Sequence, residues 1–342
     1  MMKKFFTIIL IMASFLCYAQ IPDGYYDSTE GLQGEDLKAA LHQIINNHKD
    51  YPYTSSSTDT WDILKESDRD PDNSDNVILI YTGWSVEAGL PGEEYDYGNG
   101  WSREHVWAKS HGFPDEWQDA YRDAHHLRPC DISVNSSRGT KDFDDGGDLH
   151  HEATDCRSTS TTWEPRDAVK GDVARMMFYM ATRYEGDVSG DPDLELVDYT
   201  GTSTGTPFFG KLSTLIRWNE EDPVDDFERN RNEVVYSYQN NRNPFVDHPE
   251  FVNAIYDPQN TTNITDVGTN EKIKIYPNPA NEHLTVEAPE HYTVEIYSTV
   301  GELMLTTTQK QIDVSHLESG VYFIVIKNED GQTAKSDKIL KN

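Results

Sequence analysis

Glu104 and His105 stand side by side in the stretch WSREHVWAKSHGF (101–113), and the later stretch DAHHLRPCDISVNSSRG (123–139) holds His125-His126, Asn135 and Arg138. A carboxylate, an imidazole, an amide oxygen and a guanidinium are the parts with which a one-metal site hydrolyses a phosphodiester. That reaction needs an activated water, a cation to absorb charge on phosphorus, and stabilisation of the leaving oxygen. A neutral imidazole, with a reference pKa of about 6.5, suits the first task. Carboxylate and amide oxygens suit a hard ion such as Mg²⁺, with Mn²⁺ or Ca²⁺ as the other ions such donors accept. On this reading Glu104 and Asn135 hold the metal and His105 is the base. Arg138 either clamps a phosphate bidentately or closes a salt bridge to Asp123. Of His125 and His126, one orients the site or contacts phosphate and the other is a satisfied buried ring. Arg103 and Lys109 flank the first motif, and either touch the substrate backbone or are solvated surface charges.

These side chains need particular elements behind them. Neighbouring residues on a flat strand point to opposite faces, so Glu104 and His105 serve one site only where a strand bends or ends. Trp101 and Trp107 fit a packed strand end. The reading then places a returning strand at Asp123 to Leu127 and a turn or short helix at Asn135 to Arg138. Strand, loop, strand, helix around one metal is the ββα-metal arrangement.

Around that core the spacing predicts helices over 35–49, where Leu37, Leu41, Ile44 and Ile45 recur, and over 166–184, with a Met176, Met177 and Met180 stripe. Further helices are expected at 209–220, 226–240 and 249–256, and a strand from Val77 to Tyr81. This is an α+β domain with more helix than sheet, spanning 20–258. Residues 1–19 read as a secretory signal peptide, with a basic start and an apolar run too short to span a membrane. Residues 259–271 are polar and unpatterned, a linker. From 272 to 342 short alternating strands with glycine turns predict a small all-β sandwich.

An exported chain left with Cys130 and Cys156 is expected to bond them to each other, a loop worth about 3 kcal/mol; two free buried thiols are the alternative. The 342 residues carry a formal charge of -31. That excludes a tight sequence-reading DNA binder, which draws most of its affinity from Lys and Arg on phosphate. It leaves room for an enzyme that holds a polyanion through a bound cation. The Asp142, Asp144, Asp145 and Asp148 loop reads either as a solvated acidic loop or as a Ca²⁺ loop, and His150-His151 lack zinc-motif spacing.

Three ordered motifs carry a resemblance: Arg103-Glu104-His105-Val106, Asp123-Ala124-His125-His126-Leu127 and Val134-Asn135-Ser136-Ser137-Arg138, with RNPFVDHPEFV (242–252) further on. Here the chain resembles the bacterial endonuclease I family over most of 30–257. The resemblance implies a secreted Mg²⁺-dependent endonuclease that cuts DNA, and RNA too, with little sequence preference; a monomer is the expected state. By the same resemblance His105 is the base, and Glu104 and Asn135 are metal ligands. The final segment, opening on Tyr276-Pro277-Asn278-Pro279, resembles the C-terminal sorting domain of type IX secretion substrates. That implies the type IX machinery as a partner and release to the exterior or attachment at the cell surface. The rival functions are a zinc-dependent hydrolase or phosphatase built on His125, His126, His150 and His151, and a non-catalytic surface adhesin.

Overall fold

A computed structural model describes residues 21–89, 100–257, 273–287, 292–298, 303–317, 319–327 and 333–341. The expected signal peptide and linker lie outside these residues. The chain divides into two compact units, 1–260 and 261–342.

The first unit runs α1 (Gly34–Ile45), α2 (Thr60–Ser67), β1 (Asn76–Ile78), β2 (Ser85–Glu87), β3 (Trp101–His105), α3 (Asp119–Arg122), β4 (Leu127–Asp131) and α4 (Ile132–Arg138). Short strands follow: β5 (Asp142–Phe143), β6 (Asp148–Leu149), β7 (Arg157–Ser158) and β8 (Thr162–Glu164). Then come α5 (Lys170–Arg183), β9 (Glu195–Val197), β10 (Phe208–Gly210), α6 (Leu212–Glu221), α7 (Asp226–Gln239), α8 (Pro244–Asp247) and α9 (Phe251–Tyr256). The helices lie where the spacing put them, trimmed at their ends. The Val77 to Tyr81 strand is shorter than expected, because only Asn76 to Ile78 pair in register with β2, while the Leu79 and Ile80 amides donate singly to the Trp84 and Pro129 carbonyls.

Helix α5 is buried along its whole length. Its Val173, Met176, Met177 and Met180 join the main apolar cluster with Leu37, Leu41 and Ile45 of α1 and Trp107, Trp163 and Trp218. Its charged residues survive burial because each is paired: Arg175 with Glu228 at 2.7 Å, Arg183 with Asp191 at 3.1 Å, and Asp172 with Arg128 at 3.1 Å. An unpaired charge there would cost several kcal/mol.

Strands β3 and β4 are antiparallel, with Glu104 opposite Arg128 and His105 opposite Leu127. Helix α4 follows β4 directly. Asp131 caps it, accepting from the amides of Ser133 (2.8 Å) and Val134 (3.1 Å). The expected strand, loop, strand, helix order is therefore present. The returning strand begins at Leu127, not Asp123. The Asp123 carboxylate accepts from the His125 amide two residues on, at 2.9 Å, which turns the chain before β4 can start.

The second unit holds β11 (Lys274–Tyr276), β12 (His283–Glu287), β13 (Thr293–Ser298), β14 (Leu303–Thr307), β15 (Gln311–Asp313), β16 (Gly320–Lys327) and β17 (Thr333–Lys341). They form two sheets, ordered β11-β12-β15 and β14-β13-β16-β17. Leu284, Val286 and Ile312 from one sheet and Val294, Ile296, Ile324 and Ile326 from the other make a shared core. The period of two along these strands sends alternate residues inward, and the predicted sandwich is what they build.

Candidate active site

Strand β3 sorts its side chains by face. Ser102 and Glu104 lie toward α4, where Asn135 Nδ2 donates to Ser102 Oγ at 3.0 Å and Arg138 Nη1 meets Glu104 Oε1 at 3.2 Å. Arg103 and His105 lie toward Tyr53, whose ring stacks on His105 with centroids 5.6 Å apart and under the Arg103 guanidinium at 3.3 Å. His105 is the last residue of β3, so it and Glu104 take opposite faces at the strand end.

Glu104 is buried, and its carboxylate has two protein donors. Tyr81 Oη donates to Oε1 at 2.8 Å and Arg138 approaches the same oxygen. Among the described residues no donor reaches Oε2. Burial raises the Glu104 pKa above the usual carboxylate range, while Arg138 and the Tyr81 hydroxyl pull it down. Asn135 spends its amide nitrogen on Ser102 Oγ and, at 3.4 Å, on the Arg103 carbonyl. That fixes the amide and leaves Oδ1 without a protein donor among the described residues. One carboxylate oxygen and one amide oxygen, both free of protein hydrogen bonds, form a donor set that suits a hard divalent ion.

His105 is held differently. Its Nε2 lies 2.9 Å from the Tyr121 carbonyl. A carbonyl only accepts, so Nε2 carries the hydrogen and Nδ1 keeps the lone pair. Burial, then the neighbouring His126 and Lys109, push its pKa well below the ordinary imidazole value, so the ring is neutral.

Arg138 is 1% exposed; both terminal nitrogens are engaged, while its buried Nε has no hydrogen-bond partner among the described residues. Nη1 donates to the His105 carbonyl at 3.1 Å and Nη2 to the Val106 carbonyl at 2.6 Å. Its ion pair is with Glu104, not Asp123. Asp123 is satisfied instead by the hydroxyls of Tyr179 (2.7 Å) and Tyr184 (2.9 Å) and by Gln239 at 3.0 Å. Arg138 is thus a buried brace across the strand end.

The substrate contacts expected of Arg103, His125 and His126 do not fit their burial. Arg103 binds the Tyr53 carbonyl and the hydroxyls of Thr60 (2.8 Å) and Thr54 (2.9 Å), tying the 53–60 segment to the strand. His125 Nε2 bonds the Asn241 carbonyl at 3.0 Å and His126 Nε2 the Ala120 carbonyl at 2.8 Å. Burial pushes both rings down to about 4 although Asp123 opposes it, so they are neutral packing groups.

The expected Cys130–Cys156 bridge is absent. Both thiols are free and buried, and Cys156 Sγ donates to the Tyr81 carbonyl at 3.3 Å. Burial pushes Cys156 up to about 11 and Cys130 well above the ordinary thiol value, so both stay protonated in the apolar cluster. The acidic loop also disperses: Asp142 accepts from Gly201, Thr202 and Gly210, and Asp144 from Thr214 at 2.5 Å. His150 binds Ser137 Oγ at 2.9 Å and accepts from the Ala153 amide at 3.1 Å. Among the described residues no three His, Cys, Asp or Glu side chains gather, so His125, His126, His150 and His151 do not form the cluster on which the zinc reading rests. Tyr81 and Tyr121 escaped the sequence reading. One ends an apolar run and the other acts through its backbone, so neither leaves a motif.

A buried carboxylate and a neutral imidazole at a ββα strand end are the furniture of a phosphodiester hydrolase, and comparison with known proteins agrees. Residues 33–250 match the Endonuclease I family, and residues 274–342 match the secretion system C-terminal sorting domain. The chain belongs to the Endonuclease I family and is a nuclease that is secreted or held at the cell surface. It is 52% identical over 235 residues to an extracellular ribonuclease of Bacillus subtilis (strain 168), covering 68% of this chain and 78% of that one. An extracellular ribonuclease of Bacillus amyloliquefaciens is 50% identical over 233 residues, with the same coverage. An extracellular deoxyribonuclease of Aeromonas hydrophila is 24% identical over 144 residues, covering 41% of this chain and 55% of that one. Among the described residues no helix is long and apolar enough to cross a membrane.

Proposed function

We propose that this chain cuts RNA and DNA internally with little sequence preference, that His105 activates the attacking water, and that Glu104 and Asn135 hold one divalent cation. The observation that carries the reading is the His105 tautomer. The Tyr121 carbonyl commits Nε2 to donating, so Nδ1 can take a proton from water. As that proton moves to Nδ1, the water oxygen bonds to phosphorus, and the bond to the sugar oxygen breaks, that oxygen leaving with the bonding pair and taking a proton from solvent water. Mg²⁺, or Mn²⁺ or Ca²⁺ in its place, bound at Glu104 and Asn135, would supply a positive charge against the phosphate oxygens. Tyr81 and Arg138 hold Glu104 by one oxygen, and Ser102 holds Asn135 by its nitrogen, so both ligand oxygens are oriented in advance.

The two ribonuclease relatives support RNA as a substrate, and the deoxyribonuclease relative supports DNA. The sorting domain supports delivery by type IX secretion machinery. The test is digestion of plasmid DNA and of RNA with Mg²⁺, with excess EDTA, and with His105→Ala. Cutting of both substrates that stops with chelator and in the variant is the expected result. Undiminished cutting by His105→Ala overturns the base assignment, and undiminished cutting in EDTA overturns the cation assignment.

A further inference from the structure

The chain has 60 acidic side chains against 29 lysines and arginines, so a cation near the site is usually claimed by the protein itself. Arg103 is sandwiched at Tyr53 and Trp61 with its nitrogens on the 53–60 segment. Arg138 is spent on Glu104 and backbone carbonyls. Arg122 pairs with Asp119 at 2.7 Å and Asp50 at 3.4 Å. Lys141 donates to the Ser137 carbonyl.

Lys109 is different. It is exposed, and among the described residues its ammonium has no carboxylate partner. Its one hydrogen bond is to the Tyr121 hydroxyl, at 2.6 Å. Tyr121 holds both ends of the arrangement: its carbonyl takes His105 Nε2, and its ring meets the His105 ring edge-on at 4.6 Å. One residue therefore carries the imidazole on its backbone and the lysine on its hydroxyl. A lysine ammonium has three hydrogens, so at least one stays available after Tyr121 is served.

We infer that Lys109 binds the phosphate of the substrate on the His105 side of the site, as a catalytic residue that touches the reacting group. This rests on the reading of His105 as the base. The lysine supplies what the two neighbouring arginines cannot, because they are buried. A phosphate oxygen that comes beside the imidazole meets a charged donor already positioned by Tyr121, and a charge-assisted contact holds the phosphorus where the activated water attacks.

The experiment compares Lys109→Met and Lys109→Arg with the full chain, using a single-stranded RNA and a plasmid, over a range of NaCl concentrations. Lys109→Met should lower kcat/KM by roughly 10- to 100-fold on both substrates. It should also make the slope of log kcat/KM against log salt more positive by about 0.7–0.9, the signature of one lost phosphate contact. Lys109→Arg should keep the parent slope. Because Lys109 is exposed, Lys109→Met should melt within about 1 °C of the parent, which separates the effect from misfolding. An unchanged kcat/KM and slope in Lys109→Met, beside an inactive His105→Ala, overturns the lysine inference alone. Full activity in His105→Ala overturns the reading on which it rests.

Discussion

Replacing Arg138 by methionine removes the guanidinium, whose carbon lies 4.7 Å from the Phe143 ring centre, and keeps much of the aliphatic stem. Two losses follow. Glu104, 2% exposed, keeps only the Tyr81 hydroxyl. Leaving one partner of a buried ion pair uncompensated costs about 3–5 kcal/mol. The carbonyls of His105 and Val106 also lose their donor, at about 1 kcal/mol each. The sum, about 5–7 kcal/mol, is a large share of the roughly 5–15 kcal/mol by which a domain is stable. At about 2–4 °C per kcal/mol, Tm should fall by roughly 10–25 °C. The double variant Glu104→Gln/Arg138→Met carries no stranded charge and should regain about two thirds of that loss, leaving the carbonyl part. Thermal melts at pH 7, followed by tryptophan fluorescence, measure all three proteins. A single variant within about 3 °C of the parent refutes the brace, since that corresponds to barely 1 kcal/mol. A double variant no more stable than the single refutes the ion pair as the main term and shifts the cost to the carbonyls.

Acid should weaken the fold through His125 and His126. Both are neutral when folded, with pKa values pushed down to about 4, and both take a proton near 6.5 when unfolded. The unfolded chain binds more protons between those values, so stability is full above about pH 6.5 and falls toward pH 4, by on the order of 3 kcal/mol per ring. Urea midpoints at pH 7, 6 and 5 should decline in that order, and a midpoint that rises on acidification contradicts the assignment. Dithiothreitol should leave Tm unchanged, and a thiol reagent should titrate two cysteines in the unfolded chain lacking its first nineteen residues. A clear drop in Tm on reduction would instead signal a bridge worth about 3 kcal/mol. Tyr81→Phe should weaken Mn²⁺ binding by roughly 10- to 100-fold, read by electron paramagnetic resonance of free Mn²⁺, because Glu104 loses one of its two orienting donors. Equal Mn²⁺ affinity in the variant shows that the hydroxyl does not set the carboxylate.

What was legible in the sequence is what short-range pattern encodes. The apolar stripe of α5, the alternation of β12, β13 and β16, and the order Glu104-His105, then Asn135, are local facts, and the fold follows them. The strand start at Leu127 was missed because an Asx contact from Asp123 to the His125 amide outweighs the apolar pattern. The inward fate of Arg103 was invisible for another reason. Its partners Tyr53, Thr54 and Thr60 come from a segment more than forty residues away, and a hydropathy pattern scores arginine as surface. The disulfide was argued from compartment and cysteine number, and neither reports whether two thiols face each other. Tyr121 acts through a carbonyl, which every residue type has, so no sequence pattern marks it.

Burial also changes what the net charge of -31 means. Arg103, Arg128, Arg138, Arg175, Arg231 and Arg242 are all at most 8% exposed. Each is engaged by carboxylates, carbonyls, hydroxyls or aromatic rings inside the first unit. Carboxylates such as Asp68, Asp172 and Glu228 are buried with them, so the pairs cancel inside and the solvent-facing surface keeps the strongly acidic balance of the composition. A long-range field of that sign repels a polyanion and slows its approach. Productive contact with phosphate then depends on cations within the site, where separation is a few ångströms and screening is weak. The side chains proposed for that purpose are the oxygen pair of Glu104 and Asn135, with a divalent ion, and Lys109, held by Tyr121. Repulsion by the surface and attraction confined to the site favour an enzyme that meets its substrate at the scissile bond and holds little of the flanking strand. The proposed low sequence preference fits that arrangement, because a protein that grips few flanking nucleotides has few places from which to read them.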